Sequence, residues 1–191
     1  MTIWVRVKKE DSLFYRIYNG VLFSMKRMIP FLSVLVIVTI IVAIFLSLAK
    51  KQQMIVVQEG NFKRLPLIMQ VNRYQDSDCG MVITGLDYAS QVVAPDGKTW
   101  FFHDHGGFVN WLKDKEFKED VVIWVMSRDT KKWIEARKAF YSLTEKTPMS
   151  FGFGAYDKKM DGFIDFETMK LKVLHGETMR NPLIKKQLLG Q

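Results

Sequence analysis

The feature that most constrains this chain is a run of 22 residues without a charged side chain, Met28–Ala49 (MIPFLSVLVIVTIIVAIFLSLA). As a helix at about 1.5 Å per residue, the run is about 33 Å long, and the hydrocarbon core of a bilayer is about 30 Å thick. A buried helix of a soluble domain is rarely apolar on every face over this length. A cleavable signal peptide fits poorly, because 27 residues precede the run and Lys50 and Lys51 follow it. We therefore predict one uncleaved transmembrane helix over residues 28–49.

The charges that flank this helix predict its orientation. Six basic residues precede the span, and four follow it within the next stretch of chain. Because basic flanks are retained in the cytoplasm, we expect the N-terminus in the cytoplasm and the C-terminal domain outside it. Residues 1–27 then form a cytoplasmic arm. Apolar residues recur at helical spacing between Ser12 and Arg27, which is typical of a helix that lies on the membrane surface or binds a partner.

The net charge of +8 does not indicate a nucleic-acid-binding protein. Of the 28 basic and 20 acidic residues, 22 basic and 18 acidic residues lie in residues 50–191. This part of the chain is therefore close to balanced and has no concentrated basic footprint for phosphates. We predict no nucleic-acid partner.

The part that follows the span predicts an α+β fold. Residues 50–74 have short apolar runs without a sustained period, which indicates a stalk or a first strand. Residues 75–182 predict one domain, and residues 183–191 a basic polar tail. The domain is expected to contain two small strand-strand-helix-strand units. The expected elements are strands 88–93 and 99–103, a helix from Gly107, strand 121–126, strands 139–143 and 150–156, a helix near 162–169, and strand 171–174.

A local similarity between the two units supports a duplication. Gly107–Trp111 and Gly162–Phe166 match in chemical type at every position, and 55 residues separate them. Both segments stand at a predicted helix start, so a repeated unit is one interpretation.

The single cysteine lies in the segment Asp78-Cys79-Gly80-Met81. Outside the cytoplasm, an unpaired thiol suggests an intermolecular disulfide, a reactive thiol or a metal ligand, and the alternative is a small buried apolar residue. Alternate residues of an extended segment face the same side, so the sulfurs of Cys79 and Met81 could bind one ion. A thiolate and a thioether are soft ligands, and such ligands favour Cu(I).

Three further residues are candidate ligands. Met149 lies between Pro148 and the glycine-spaced segment 151–154, which allows a close approach of the backbone to another segment. His103 and His105 alternate, so on a strand that continues to residue 105 both imidazoles face one side, as a metal chelate requires. Two surface histidines at the end of a strand give the same pattern. The sequence has no evident Ser-His-Asp order, phosphate-binding glycine loop or pair of catalytic acids, and we predict that the protein is not an enzyme.

The order of four segments resembles that in the NosL family, the accessory proteins of nitrous oxide reductase. These segments are Asp78–Met81, Thr99–Asp104, Ser127–Tyr141 and Thr147–Gly152, and the resemblance covers roughly residues 76–180. It implies a bacterial periplasmic Cu(I) chaperone that helps to build the copper centre of nitrous oxide reductase. It also implies that Cys79, Met81 and Met149 are ligands of the copper ion.

The chain differs from the usual family pattern in three features. A transmembrane helix replaces the lipid anchor, which here places the protein in the bacterial inner membrane. Asp76 stands where many members have a second cysteine, and His103-Asp104-His105 replaces a commonly acidic segment. The client is therefore expected to be nitrous oxide reductase or another periplasmic copper enzyme.

Two other functions are alternatives to a membrane-anchored copper chaperone. A metal-free assembly or docking protein would use the membrane anchor and an exposed surface, with Cys79 buried and inert. A thiol enzyme would use Cys79 activated by a histidine, and its thiol would have a lowered pKa.

Overall fold

The computed structural model describes residues 4–49 and 54–190 and divides the chain into an N-terminal helix and a domain that begins at Met54. The helix, α1, runs over Trp4–Ala49, so the predicted arm and the predicted span belong to one helix. Within it, Met28–Ser47 is long and apolar enough to cross a membrane, with a mean hydropathy of 3.1, and none of this segment is buried in the protein.

The domain is built on a five-stranded antiparallel sheet with the spatial order β1-β3-β2-β4-β5. The turn between β2 and β3 contains Gly97 with φ of +82°, a conformation that suits glycine. Helix α2, His105–Leu112, connects β3 to β4, which confirms the strand-strand-helix-strand order of the first unit and the α+β class. The strands are β1 Val57–Gln58, β2 Ser90–Val93, β3 Thr99–Phe102, β4 Val122–Met126 and β5 Trp133–Glu135.

The remaining elements form a smaller and less regular layer. A short 3-10 helix follows β5, and a two-stranded antiparallel sheet is followed by two helices. The elements are the 3-10 helix Ala136–Lys138, β6 Phe140–Tyr141, β7 Ala155–Tyr156, α3 Phe166–Leu174 and α4 Pro182–Leu188. Helix α4 occupies most of the segment that was expected to be a polar tail.

The predicted strand over residues 171–174 is wrong, because these residues end helix α3. Asp165 caps this helix by accepting a hydrogen bond from the backbone N–H of Thr168 at 2.8 Å. Met169 and Val173 are buried four residues apart, whereas Leu171 is 52% exposed, and this is the spacing of a helix face. The short segment Leu-Lys-Val-Leu imitates the alternation of a strand.

The similarity between Gly107–Trp111 and Gly162–Phe166 does not mark a structural repeat. The first segment lies inside α2, whereas all but the last residue of the second precedes α3. The two segments therefore occupy different positions in the fold.

The main core lies between the sheet and helices α2 and α3. Phe102, Ile123 and Val125 of the sheet pack in one cluster with Phe108 of α2 and Met169 of α3. Burial of each such side chain contributes about 1.5–3 kcal/mol. The sheet and the two helices are thus held as one body.

A second, smaller core shows that residues 54–74 belong to the domain. Met69 and Tyr74 are buried against Ile83 and Phe101, and β1 pairs with β3. Of the two interpretations of residues 50–74, the first strand is therefore confirmed, and the stalk is wrong for residues 54–74. Residues 50–53 lie outside the described part of the chain.

Candidate metal centre

Cys79 lies in a tight turn and not in the extended segment that the sequence suggested. The backbone N–H of Asp76 donates to the carbonyl of Met81 at 2.8 Å, and that of Gly80 donates to the carbonyl of Asp76 at 2.9 Å. Gly80 has a φ of +76°, which a glycine adopts without steric cost. The alternation of an extended strand therefore does not apply to Cys79 and Met81. Cys79 is half-buried, and the Met81 side chain is 48% exposed.

The buried carboxylate of Asp76 holds this turn against the end of β3. Its Oδ1 atom accepts hydrogen bonds from the backbone N–H groups of Asp78 at 2.8 Å and Cys79 at 3.0 Å. Its Oδ2 atom accepts one from the backbone N–H of His103 at 2.8 Å and lies 2.5 Å from Nδ1 of the same residue. Asp76 thus makes four hydrogen bonds and fixes Cys79 beside His103.

The electrostatics of this cluster keep the carboxylate charged and the thiol protonated. Burial raises the pKa of Asp76, but the hydrogen bonds from the side chain and backbone of His103 and from the turn outweigh it, so this pKa lies below its ordinary value. Burial also raises the pKa of the Cys79 thiol, and the negative charges of Asp76 and Asp78 raise it further against a backbone hydrogen bond at Met81. A bound cation would have to displace the thiol proton, as cations generally do at cysteine sites.

Asp76, Cys79 and His103 are the one group of three potential metal-binding His, Cys, Asp or Glu residues in the described ranges, and their ligand atoms lie within 4.8 Å of one another. The Sγ atom of Cys79 is 4.0 Å from Nδ1 of His103. Metal-sulfur and metal-nitrogen bonds of about 2.3 Å and 2.0 Å together span up to about 4.3 Å. One ion therefore fits between the sulfur and the imidazole.

Asp76 is both a potential third ligand and the group that positions the other two through their backbone N–H groups. Each of its oxygens already has two hydrogen-bond partners, and an ion on Nδ1 of His103 would replace the bond from that nitrogen to Asp76. The bonds from the backbone N–H groups of Cys79 and His103 to Asp76 do not involve the ligand atoms, so they would hold both residues in place when an ion is bound.

Met149 approaches the same region from the second half of the domain. A Cβ atom on Gly107 would lie 3.9 Å from the sulfur of Met149 and 3.8 Å from Oδ2 of Asp78, the neighbour of Cys79. The backbone N–H of Met149 donates to Oδ2 of Asp104 at 2.8 Å, and Asp104 caps α2. The Met149 sulfur and the Asp78 carboxylate therefore both lie beside Gly107, in the first turn of α2.

His105 takes no part in this cluster, and the expectation that His103 and His105 face one side is wrong. Strand β3 ends at residue 102, and His105 is the first residue of α2. The His105 side chain is fully buried, with Nδ1 at 2.7 Å from Oγ of Ser90. Burial and the positive charge of Arg128 lower the pKa of His105 to about 3. His105 is therefore a neutral core side chain.

Sequence reasoning missed two aspartates that build the site, Asp76 and Asp104. The signal for Asp76 was its position three residues before Cys79, since an aspartate accepts hydrogen bonds from the two or three residues that follow it in a turn. The signal for Asp104 was an N-cap residue before a helical segment.

Comparisons with known proteins add no name to this geometry. No protein-family model matches the chain, and no curated protein matches it. The candidate centre therefore stands on its own residues: one thiol, one imidazole, two nearby methionines and a buried carboxylate.

Proposed function

We propose that this protein is a membrane-anchored Cu(I) chaperone that delivers copper to a periplasmic copper enzyme. The observation that carries the proposal is the half-buried Cys79 sulfur at 4.0 Å from the His103 imidazole, which Asp76 holds in place. Thiolate, imidazole and thioether are ligands of Cu(I). The resemblance to NosL makes nitrous oxide reductase the expected client.

Cys79 is the primary ligand in this proposal, and neighbouring groups complete a site of low coordination number. His103 supplies a nitrogen, and Met81 and Met149 are the available thioethers. The Met81 side chain is 48% exposed, so a client group could replace it before the thiolate releases the ion. A cargo site has to be open in this way, because copper must leave it by ligand exchange.

The membrane anchor indicates on which side of the membrane the copper site lies. Residues 28–47 form a helix that is long and apolar enough to cross a membrane, and the flanking charges favour a cytoplasmic N-terminus. The domain then lies on the periplasmic side of the bacterial inner membrane, where periplasmic copper enzymes acquire their metal.

The two alternatives receive less support from the site. The raised pKa of the Cys79 thiol is the opposite of what a thiol nucleophile needs. A metal-free docking protein predicts a buried, inert cysteine, whereas Cys79 is half-buried and both its neighbour Asp78 and the Met149 sulfur lie beside Gly107.

The test is an anaerobic Cu(I) titration of the full chain in detergent against a competing chelator. We expect one ion per chain, loss of tight binding in Cys79→Ser, and weaker binding in Met149→Ala. Met160→Ala is the matched control, because Met160 is 57% exposed in a loop. A folded protein that binds no Cu(I), or a Cys79→Ser variant with unchanged affinity, would refute the proposal and favour the docking function.

A further inference from the structure

The first loop of the domain exposes large apolar side chains to an unusual extent. Three of these residues lie within seven positions: Phe62 is 76% exposed, Leu65 is 56% exposed and Ile68 is 88% exposed. Single exposed apolar residues are ordinary on protein surfaces, but a group of large ones indicates a contact with another apolar phase or surface. We call residues 60–71 the apolar loop.

The exposure is a fixed property of this loop, because long-range hydrogen bonds hold its backbone. The Nε1–H group of Trp124 donates to the carbonyl of Arg64 at 2.9 Å. The side-chain amide of Gln91 donates to the carbonyl of Leu67 and accepts from its N–H, both at 2.8 Å. Arg64 also has a φ of +52°, which is uncommon for a residue other than glycine. The sheet thus fixes the loop with its apolar side chains outward.

The composition of the apolar loop also resembles that of segments at the membrane-water interface. Phe62, Lys63 and Leu65 line one open hollow of about 440 Å³, so a basic and two apolar side chains share one surface. Glu59 also lines this hollow, and residues 60–71 contain Lys63 and Arg64 but no acidic residue. Large apolar side chains next to cations are typical of segments that enter the lipid headgroup region and bind its phosphates.

The covalent connection to α1 limits how far the start of the domain can lie from the end of the helix. Four residues, 50–53, separate Ala49 at the end of α1 from Met54. The five Cα–Cα steps from Ala49 to Met54, at a maximum of about 3.5 Å each, allow at most about 18 Å between the end of the helix and the start of the domain. The apolar loop begins six residues after Met54, and one residue, Glu59, separates it from β1.

From these observations we infer that the apolar loop is a second membrane contact: Phe62, Leu65 and Ile68 enter the interface of the outer leaflet, and the exposed Lys63 binds lipid phosphates, whereas Arg64 donates a hydrogen bond to the carbonyl of Asp120 at 3.0 Å. The inference rests on the membrane anchor of the proposed function but not on copper binding. It gives the domain a defined orientation on the bilayer, in addition to the tether.

The test measures the lipid contact of single residues in the full chain. Cys79→Ser removes the one native thiol, and an environment-sensitive fluorophore is attached to a new cysteine at Phe62, Ile68, Met160 or Ile40. The variants are reconstituted in vesicles of phosphatidylcholine and phosphatidylglycerol that contain a nitroxide lipid quencher, with the nitroxide shallow for the labels at residues 62, 68 and 160 and deep in the acyl chains for the label at residue 40. The label at residue 40 reports insertion of α1, and the label at residue 160 reports an exposed position on another loop.

We expect the labels at residues 62 and 68 to be blue-shifted and quenched at least twofold more than the label at residue 160. Adding Lys63→Glu should reduce quenching at residue 68, whereas Lys158→Glu, a change at an exposed lysine elsewhere, should not. Quenching at residue 40 with labels at 62 and 68 that behave like the label at 160 would refute the lipid contact and leave the anchor intact. Lack of quenching at all positions, residue 40 included, would refute both.

A protein partner would give a different result. Labels at residues 62 and 68 would then be shielded in vesicles made from whole bacterial membranes, but not in vesicles of pure lipid. That outcome would overturn the lipid contact.

Discussion

Replacement of Asp76 by asparagine tests the central feature of the candidate centre. The carboxylate is 1% exposed and makes four hydrogen bonds, two to the Cys79 turn and two to His103. Asparagine keeps one carbonyl oxygen, which can accept two of these bonds, and presents an NH₂ group to the other two donors. We therefore expect two buried N–H donors to lose their acceptor.

The magnitude follows from the strength of hydrogen bonds to charged groups, about 1.5–3 kcal/mol each. Two lost bonds correspond to about 3–6 kcal/mol, and relaxation of the turn makes the lower value the better expectation. For a chain of this length, 1 kcal/mol changes Tm by about 2–4 °C, so Asp76→Asn should lower Tm by about 6–12 °C. Because Asp76 also orients His103 and Cys79, Cu(I) affinity should fall by about 10–100-fold.

The two effects are measured separately in detergent, by thermal unfolding of the metal-free protein and by Cu(I) competition with a chelator at a temperature where the variant is folded. Asp161→Asn, at an exposed position, is the control and should change stability by less than about 0.5 kcal/mol. An unchanged Tm would refute the argument from the four hydrogen bonds. A lower Tm with unchanged Cu(I) affinity would show that Asp76 stabilises the turn without positioning the ligands.

Three further predictions concern the scaffold. Gly106→Ala should lower the free energy of unfolding by about 1–3 kcal/mol, because the new Cβ would collide with the ring of Phe151, whereas Gly85→Ala, which points into open space, should not. Met169→Ala should cost about 2–5 kcal/mol and Leu171→Ala much less, as their burial on α3 requires; equal costs in urea unfolding would contradict the helix. Burial raises the pKa of Glu145, but hydrogen bonds from Tyr156 and Tyr88 and the charge of Arg128 outweigh it, so this pKa lies below its ordinary value of 4.5. The contribution of Glu145 to stability is present above pH 4.5 and is lost as the pH falls through its folded-state pKa. Glu145→Gln should therefore lower the free energy of unfolding more at about pH 7 than at about pH 3. An equal loss at both pH values would contradict this pKa direction.

Local patterns predicted the first half of the domain better than the second. Alternation and a Pro-Asp-Gly turn within short stretches of sequence predict the hairpin of β2 and β3 and the strand β4, and the helix after β3 begins two residues before the predicted Gly107. The segment Leu171–Leu174 was wrongly predicted as a strand. Four residues are too few to distinguish the two-residue period of a strand from the 3.6-residue period of a helix. Only the burial of Met169 and Val173 against the core identifies them as part of a helix.

The candidate centre was predictable in its ligand types but not in its assembly. Cys79, Met149 and His103 were named from their chemical types and contexts, and their role as ligands stays a prediction. Their positions depend on contacts across long stretches of chain. His105 was misassigned because Asp104 ends the strand and begins a helix, which turns His105 into the core. The periodicity of side chains along the sequence does not predict that the strand ends at this point and a helix begins.

Two adjacent residues at the junction of β3 and α2 connect both halves of the candidate centre. His103 is bonded to Asp76, 27 positions earlier, and thereby fixes the Cys79 turn. Asp104 is bonded to the backbone of Met149, 45 positions later. Because the two residues are neighbours at the end of one strand, a shift of this junction moves the thiol and the thioether segments together. The sheet that holds β3 in place therefore also sets the separation of the proposed copper ligands, and a metal ion bound between them would in turn tighten the contact between the two halves of the domain.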